Sequence, residues 1–405
     1  MRARTARLLD WLVALWVFSG GMVITEPSPY ELSFLAVLGV SLAAGFGLHR
    51  STLGLLVLFA SFIPFALIAA FHVKFNALTD TLLFQAVTIF LLLTAYFVAN
   101  YVADAPQKRM RLIVNAYVAT AVLSALLGTL GYLHAIPAAD LFTRYDRAKA
   151  FFNDPNVYGP FLMLPAMYLL QRLLLARGRR AVWAALLFAV LFIGVFASFS
   201  RAAWGHLVVS SALVFLLVFF LEAQGRDKVR MLLIAMAGTL ALTVALAGML
   251  AVPAVNRLFE QRTSTQSYDE GETGRFGRQI YALELALSNP LGIGPLEFRN
   301  LRITEEPHNT YVNVFLSYGW GGGFIFVLFI AATIWRGLRC LGRPSPNRLL
   351  LIPLISTFIP LAAEAAIIDL DHWRHFFLIA GLIWGITAAY DRAQPDEKQR
   401  LSALL

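Results

Sequence analysis

Apolar runs of roughly 17 to 25 residues, the length of a bilayer-crossing helix, recur along almost the whole chain, and no other feature limits its fold so tightly. A helix rising 1.5 Å per residue needs about 20 apolar residues to cross some 30 Å of hydrocarbon. Twelve such runs are read, at 8–25, 32–48, 52–71, 80–100, 111–133, 155–175, 181–198, 202–222, 231–251, 311–335, 349–367 and 374–391. Hydrophobic residues make up 59% of the 405 and charged residues 14%, and mean hydropathy is +0.69. These values exclude a soluble globular domain. Hydrocarbon offers no water to an unpaired N–H or C=O, so each run is expected to be helical. The expected fold class is an all-α integral membrane protein of about 12 transmembrane helices, forming a single polytopic domain over residues 1–405. Arg2, Arg4 and Arg7 precede the first run without a small-residue cleavage site before Glu26, so that run is read as a retained span.

Charge sets the orientation. Net charge is +9, and basic residues collect in alternate connections such as "QKRMR", "QRLLLARGRR" and "RGLRCLGRPSPNR", while most acids fall in the others. Basic residues stay on the cytoplasmic side of short loops, so both termini are expected to be cytoplasmic. This asymmetry accounts for the high pI without a nucleic-acid partner. The single Cys340 permits no intrachain disulfide. Two outer segments, 134–154 and 252–310, are longer than turns and are the places to look for chemistry.

Five polar clusters stand at outer helix ends. In "RYDRAKAFFNDPNVYGPFLM", Arg144, Arg147 and Lys149 bring positive charge to an acidic face, and Asn153 or Asp154 caps a helix that starts at Pro155. In "SFSRAAWGHL", Arg201 opens the eighth span, either snorkelling to the headgroups or binding an anion. In "ETGRFGRQIYALELALSNPLGIGP", Thr273 is placed to cap a helix ended by Asn289-Pro290. That helix is amphipathic: Phe276, Ile280, Leu283 and Leu287 share one arc, and Arg275, Arg278, Gln279 and Ala282 a neighbouring face, as suits a helix lying on the bilayer. In "EEPHNTYVNVFLSYGWGGG", Pro307, His308 and Asn309 precede the tenth span, with Glu305 or Glu306 close enough in sequence to orient the imidazole. Gly319, Gly321, Gly322 and Gly323 then permit close helix approach. In "EAAIIDLDHWRHFF", Asp369, Asp371 and His372 form an acidic turn or a weak divalent-metal set. Tyr132, Tyr145, Tyr268, Tyr281, Tyr311 and Trp373 are available to stack on sugars or to sit in an interfacial belt.

Taken in order, "SFSRAAWG", the "TGR" helix running into "NPLGIGP", and "HNTYVNVFLSYGWGG" resemble the O-antigen ligase and O-antigen polymerase superfamily of bacterial envelope glycosyltransferases, over roughly residues 144–325. The resemblance implies a GT-C-like fold in the bacterial inner membrane. A long periplasmic loop between spans 9 and 10, residues 252–310 with the amphipathic helix, would form part of the active site. It implies glycan transfer from undecaprenyl diphosphate to an acceptor hydroxyl on the periplasmic face, on lipid A-core in a ligase or on another glycan in a polymerase, with no cofactor and no metal. Matched by motif, Arg201 and Arg275 are the family's essential arginines and His308 its essential histidine, the arginines serving the diphosphate and the histidine acting as general base. Charge and position add Arg278, Arg147, Asn309 and Tyr311 as substrate-binding residues. The expected partners are the carrier-linked glycan, its acceptor and membrane lipid. The chain departs from the family pattern at Gln279, where members carry an aromatic. A polytopic transporter or lipid flippase is the reading from another class; the near absence of ionisable groups inside the spans weighs against it.

Overall fold

The computed structural model describes residues 2–25, 27–264, 271–301 and 304–402; Tyr268 lies outside them. In chain order the helices are α1 (Arg2–Ser19), α2 (Pro29–Ala43), α3 (Leu53–Ala70), α4 (Leu78–Asp104), α5 (Pro106–Tyr132), α6 (Pro155–Phe161), α7 (Met163–Leu175), α8 (Arg179–Ala197), α9 (Arg201–Leu221), α10 (Gly225–Leu250), α11 (Pro253–Thr263), α12 (Arg275–Ser288), α13 (Thr310–Leu341), α14 (Arg348–Glu364) and α15 (Arg374–Ser402). A two-stranded antiparallel hairpin, β1 (Thr143–Arg144) and β2 (Arg147–Ala148), interrupts the helical pattern between α5 and α6. It was not foreseen from the sequence.

Among the described residues, seven stretches are long and apolar enough to cross a membrane: Arg50–Ala70, which includes α3, together with α4, α5, α8, α9, α10 and α13. The other five expected spans overlie helices of a different kind. The helix α2 has 15 residues, and α14 has 17 with Pro353 and Pro360 inside it. The run at 155–175 is divided into α6 and α7, with Pro160 next to the break at Leu162; a proline removes a backbone donor and crowds the preceding turn. The helices α1 and α15 carry charged residues near an end.

The contacts cluster into two compact units, one of residues 1–44 and 111–266, the other of residues 45–110 and 267–405. In the first, α1 packs on α2 through Trp16, whose ring lies 5.1 Å from that of Tyr30 and 4.9 Å from that of Phe34. Helix α7 packs against α8 and α9. Gly159 of α6 admits α9, since a β-carbon there would stand 2.6 Å from that of Ala203. In the second unit α15 lies along α4, with Gly381 against the backbone of Ala95 and Gly385 against that of Ala99. Helix α13 packs on α3, α12, α14 and α15.

The second unit turns on a break in α13. Gly319 has φ +71° and ψ −179°, a region essentially closed to residues with a side chain. The loop that follows α12 fills the break. Trp320 N–H donates to the Pro290 carbonyl at 2.9 Å, Ile293 N–H donates to the Leu316 carbonyl at 2.8 Å, and the Trp320 indole N–H donates to the Ala286 carbonyl at 2.9 Å. A β-carbon on Gly319 would stand 2.5 Å from the Pro290 oxygen, and one on Gly292 (φ +81°) 2.6 Å from the Gly319 nitrogen. The expectation that the α13 glycines serve helix approach holds for Gly321, whose missing side chain admits Phe65 of α3. Gly319 instead divides the helix and receives "NPLG".

Gly319→Ala is therefore expected to cost about 1–3 kcal/mol for holding a β-carbon in that backbone region, plus whatever the displaced loop adds. Thermal unfolding in detergent should show a clear fall in Tm. Gly238→Ala on α10, where a β-carbon meets open space, is the control and should leave Tm unchanged or slightly higher.

Candidate functional site

In the second unit the chain approaching α13 carries Glu305, Glu306, Pro307 and His308. His308 has φ +54°, a strained setting that costs about 1–3 kcal/mol and persists only where neighbours impose it. Three sets of contacts do so. The Gln279 amide of α12 donates to the His308 carbonyl at 2.9 Å. The Asn309 side chain caps α13, accepting from Val312 N–H at 3.1 Å. Thr310 ties the helix start to the turn after α14: its N–H donates to the Ala365 carbonyl at 2.8 Å, its hydroxyl donates to the Ile368 carbonyl at 2.7 Å, and Leu370 N–H donates to that hydroxyl at 2.9 Å.

This knot delivers Asp369 to the imidazole. His308 Nδ1 lies 2.9 Å from Asp369 Oδ2. A carboxylate only accepts, so Nδ1 carries the proton and Nε2 is the basic nitrogen of the neutral ring. Nε2 lies 3.7 Å from Glu305 Oε2, and the same Glu305 oxygen pairs with Arg278. Arg278 is only 2% exposed, so Glu305 balances a buried cation. The sequence pointed to Glu305 or Glu306 as the carboxylate that orients His308; Asp369, some sixty residues on, takes that place.

Glu306 is enclosed nearby. Burial first, then the charge of Asp369, pushes its carboxyl up to about 7; Arg299 and His308 pull it down and Asp371 adds to the rise. A second imidazole and carboxylate stand beside this group. His372 Nδ1 lies 3.3 Å from Asp371 Oδ2, and its Nε2 is 3.0 Å from the Thr88 hydroxyl, itself 3.2 Å from that of Tyr318. Asp369 and Asp371, weighed from sequence as metal ligands, thus face two histidines. Among the described residues no three His, Cys, Asp or Glu side chains are grouped to hold a metal ion.

Helix α12 presents its arginines to this unit. Its N-cap is Gly274 rather than Thr273, one residue later than the sequence suggested, and Asn289 ends it as expected. Ala282 and Ala286 pack on Phe298 and Leu316. Half-buried Arg275 opens the helix and buried Arg278 lies one turn on. The opposite stripe of Phe276, Ile280, Leu283 and Leu287 is 47–61% exposed, which fits a face meant for lipid. Tyr311, chosen as a substrate residue, donates its hydroxyl to the Ala362 carbonyl at 2.7 Å, and so anchors α13 to α14.

In the first unit, arginines gather around residues 198–200. Arg147 Nε donates to the Ser198 carbonyl at 2.7 Å, and its terminal nitrogen donates to Asn156 Oδ1 at 2.8 Å. Arg262, in the last turn of α11, reaches the Phe199 carbonyl at 3.3 Å. Phe199 has φ +44°. Ser200 then caps α9, and Arg201 opens that helix with an exposed side chain. Arg147 is 4% exposed; burial and the repulsion of Arg262 and Arg201 lower its guanidinium to about 10, with Asp154 opposing. It remains a cation at neutral pH. Asp154 caps α6 as expected, accepting from Asn156 N–H at 2.7 Å. Of the basic trio, only Arg147 turns inward. Arg144 donates to the Asn153 carbonyl at 2.7 Å and Lys149 to that of Leu141 at 2.8 Å. Arg262 went unnoticed in the sequence, where nothing but its charge sets it apart.

The family model for O-antigen ligase (Wzy_C) matches residues 165–327. That stretch holds Arg201, Arg275, Arg278, His308 and the Gly319 break, and it is the superfamily the motifs resemble. Arg147 and Asp369 lie outside it. No curated protein matches the chain.

Arg147→Lys keeps the charge but cannot reproduce a planar fork with two separated partners. A loss of about 1–3 kcal/mol is expected, seen as a lower Tm at neutral pH.

Proposed function

On the match of residues 165–327 to the O-antigen ligase family model, we propose that the chain transfers glycan from undecaprenyl diphosphate to an acceptor hydroxyl on the periplasmic face of a bacterial inner membrane. The ligase reaction, with lipid A-core as acceptor, is the reading we favour. The observation that carries it is the His308–Asp369 pair at the mouth of α13, of which His308 lies in the family-matched stretch that also holds Arg201 and Arg275.

The acceptor oxygen attacks the anomeric carbon, and the bond from that carbon to the phosphate oxygen breaks. The bonding pair leaves on the diphosphate. The acceptor proton passes to His308 Nε2, and Asp369 stabilises the imidazolium that forms through Nδ1–H, as the carboxylate does in an acid–base triad. Arg201 and Arg275 hold the charge that develops on the diphosphate, the task that preorganised donors perform where charge appears in a transition state. Arg278 and Arg147 support them as buried cations, and Asn309 shapes the site by fixing the backbone on which His308 sits. Fixed guanidiniums in this role make a divalent ion unnecessary.

An O-antigen or exopolysaccharide polymerase would use the same groups, and deletion of the gene in a smooth strain separates the two. A ligase mutant accumulates long carrier-linked polymer; a polymerase mutant displays lipid A-core with a single repeat unit. The transporter reading gains little from the broken α13, because the break is closed by the 290–293 loop.

In a purified system with carrier-linked glycan and acceptor, His308→Ala should lower transfer by about 10²–10⁴, and Arg201→Ala or Arg275→Ala by about 10²–10³. Asp369→Asn should lower it strongly while leaving expression intact. Transfer should survive excess EDTA. Full activity in the His308 variant would remove the proposed base.

A further inference from the structure

Besides Glu305, which Arg278 balances, three carboxyl groups stand around the candidate base from two directions. Glu306 comes from the strand of chain leading into α13, and Asp369 and Asp371 come from the turn after α14. The cations and imidazoles that face them are few. His308 lies against Asp369 and His372 against Asp371; Arg299 approaches from the segment after α12; and Arg278, the buried cation of α12, is engaged by Glu305. Glu306 Oε1 and Asp369 Oδ1 are both buried and neither has a hydrogen-bond donor. Two enclosed acceptors without a donor are costly if both groups are ionised, and a proton on Glu306 removes one of the two buried charges.

On the reading of His308 as general base, we propose that Glu306 is a positioning residue that carries this proton. Beyond the Glu305–Arg278 pair, Glu306 thereby limits the cluster to two negative charges, so that His308 enters each turnover as the neutral imidazole. The electrostatics follow from the geometry. An ionised Glu306 would add a third negative charge beside the His308–Asp369 pair. That charge would raise the proton affinity of the ring and hold it as imidazolium, with no lone pair for the acceptor hydroxyl. Burial and Asp369 push the Glu306 carboxyl up to about 7, which agrees with a proton retained into the neutral range. Glu306 is thus distinct from Asp369: Asp369 aims the ring, and Glu306 sets its charge.

The sign of the stability effect is fixed. A carboxyl raised from its ordinary value of 4.5 to about 7 favours the folded state fully below pH 4.5, and that contribution is lost as pH rises through 7. Glu306→Gln keeps the shape and neutrality of the acid but cannot ionise.

Three measurements on the full chain in detergent test the idea. Infrared spectra at pH 6 should show a protonated-carboxyl C=O band that disappears in Glu306→Gln. The Tm of the wild type should fall relative to that of the Gln variant between pH 4.5 and 7. The acid limb of the transfer rate should stay within about 0.3 pH unit of wild type in the Gln variant, because position 306 is neutral in both there, with the plateau within about threefold of wild type. An infrared band unchanged by the substitution, or parallel Tm curves, overturns the placement of the proton. An acid limb that moves to lower pH by half a unit or more in the Gln variant, the mark of an ionised Glu306 in the wild type, or a plateau as low as that of His308→Ala, overturns the role assigned to it. Absence of transfer in the wild type would defeat the transferase reading alone, since the infrared and Tm results stand without it.

Discussion

A peptide group exposed at a break in a membrane helix has no water to turn to, and it must find its partner in the chain itself. Helix α13 breaks at Gly319, and the loop after α12 supplies what the break exposes, through Pro290, Ile293 and the Trp320 indole. Much of the second unit follows from this. The docked loop holds the C-terminal end of α12 against α13, which lets Ala282 and Ala286 bury against Leu316. Held there, α12 reaches back through Gln279 to the carbonyl of His308. A backbone repair within the helix thus helps to fix the one strained residue at its mouth.

The polar groups obey a common rule in both units: charge is kept at helix ends and is either balanced or pinned to backbone. The Arg147 and Arg262 guanidiniums grip the carbonyls of Ser198 and Phe199, so the turn that presents Arg201 is held by cations rather than by hydrophobic packing alone. In the second unit the imbalance has the opposite sign, with carboxyl groups outnumbering the cations that face them.

The sequence made much of this legible. Apolar run length located most of the helices, and the Phe276–Leu287 arc foretold a helix with one face left open. Asp154, Pro155 and Asn309 were readable as cap chemistry because capping is local. What stayed hidden depends on distant pairing. Asp369 reads as one acid in an acidic turn, and only the Thr310 knot, made across some sixty residues, turns it toward His308. Gly319 reads as one of several packing glycines until the loop at Pro290 is seen to occupy its position. The short hairpin at 143–148 was missed because Tyr145 and Asp146 take positive φ, where a turn of this kind ordinarily uses Asn-Gly.

The open stripe of α12 has a mechanical meaning in the membrane setting proposed above. Four large apolar side chains sunk in the leaflet act as a float, and the arginines on the other side of the same short cylinder ride at a height set by that waterline. Helices that cross the whole bilayer answer to its total thickness, whereas this one answers to a single leaflet. Stretching or thickening the membrane would therefore lift or lower the phosphate plane and α12 together, and the register between cation and headgroup would be kept while the long helices tilt to compensate.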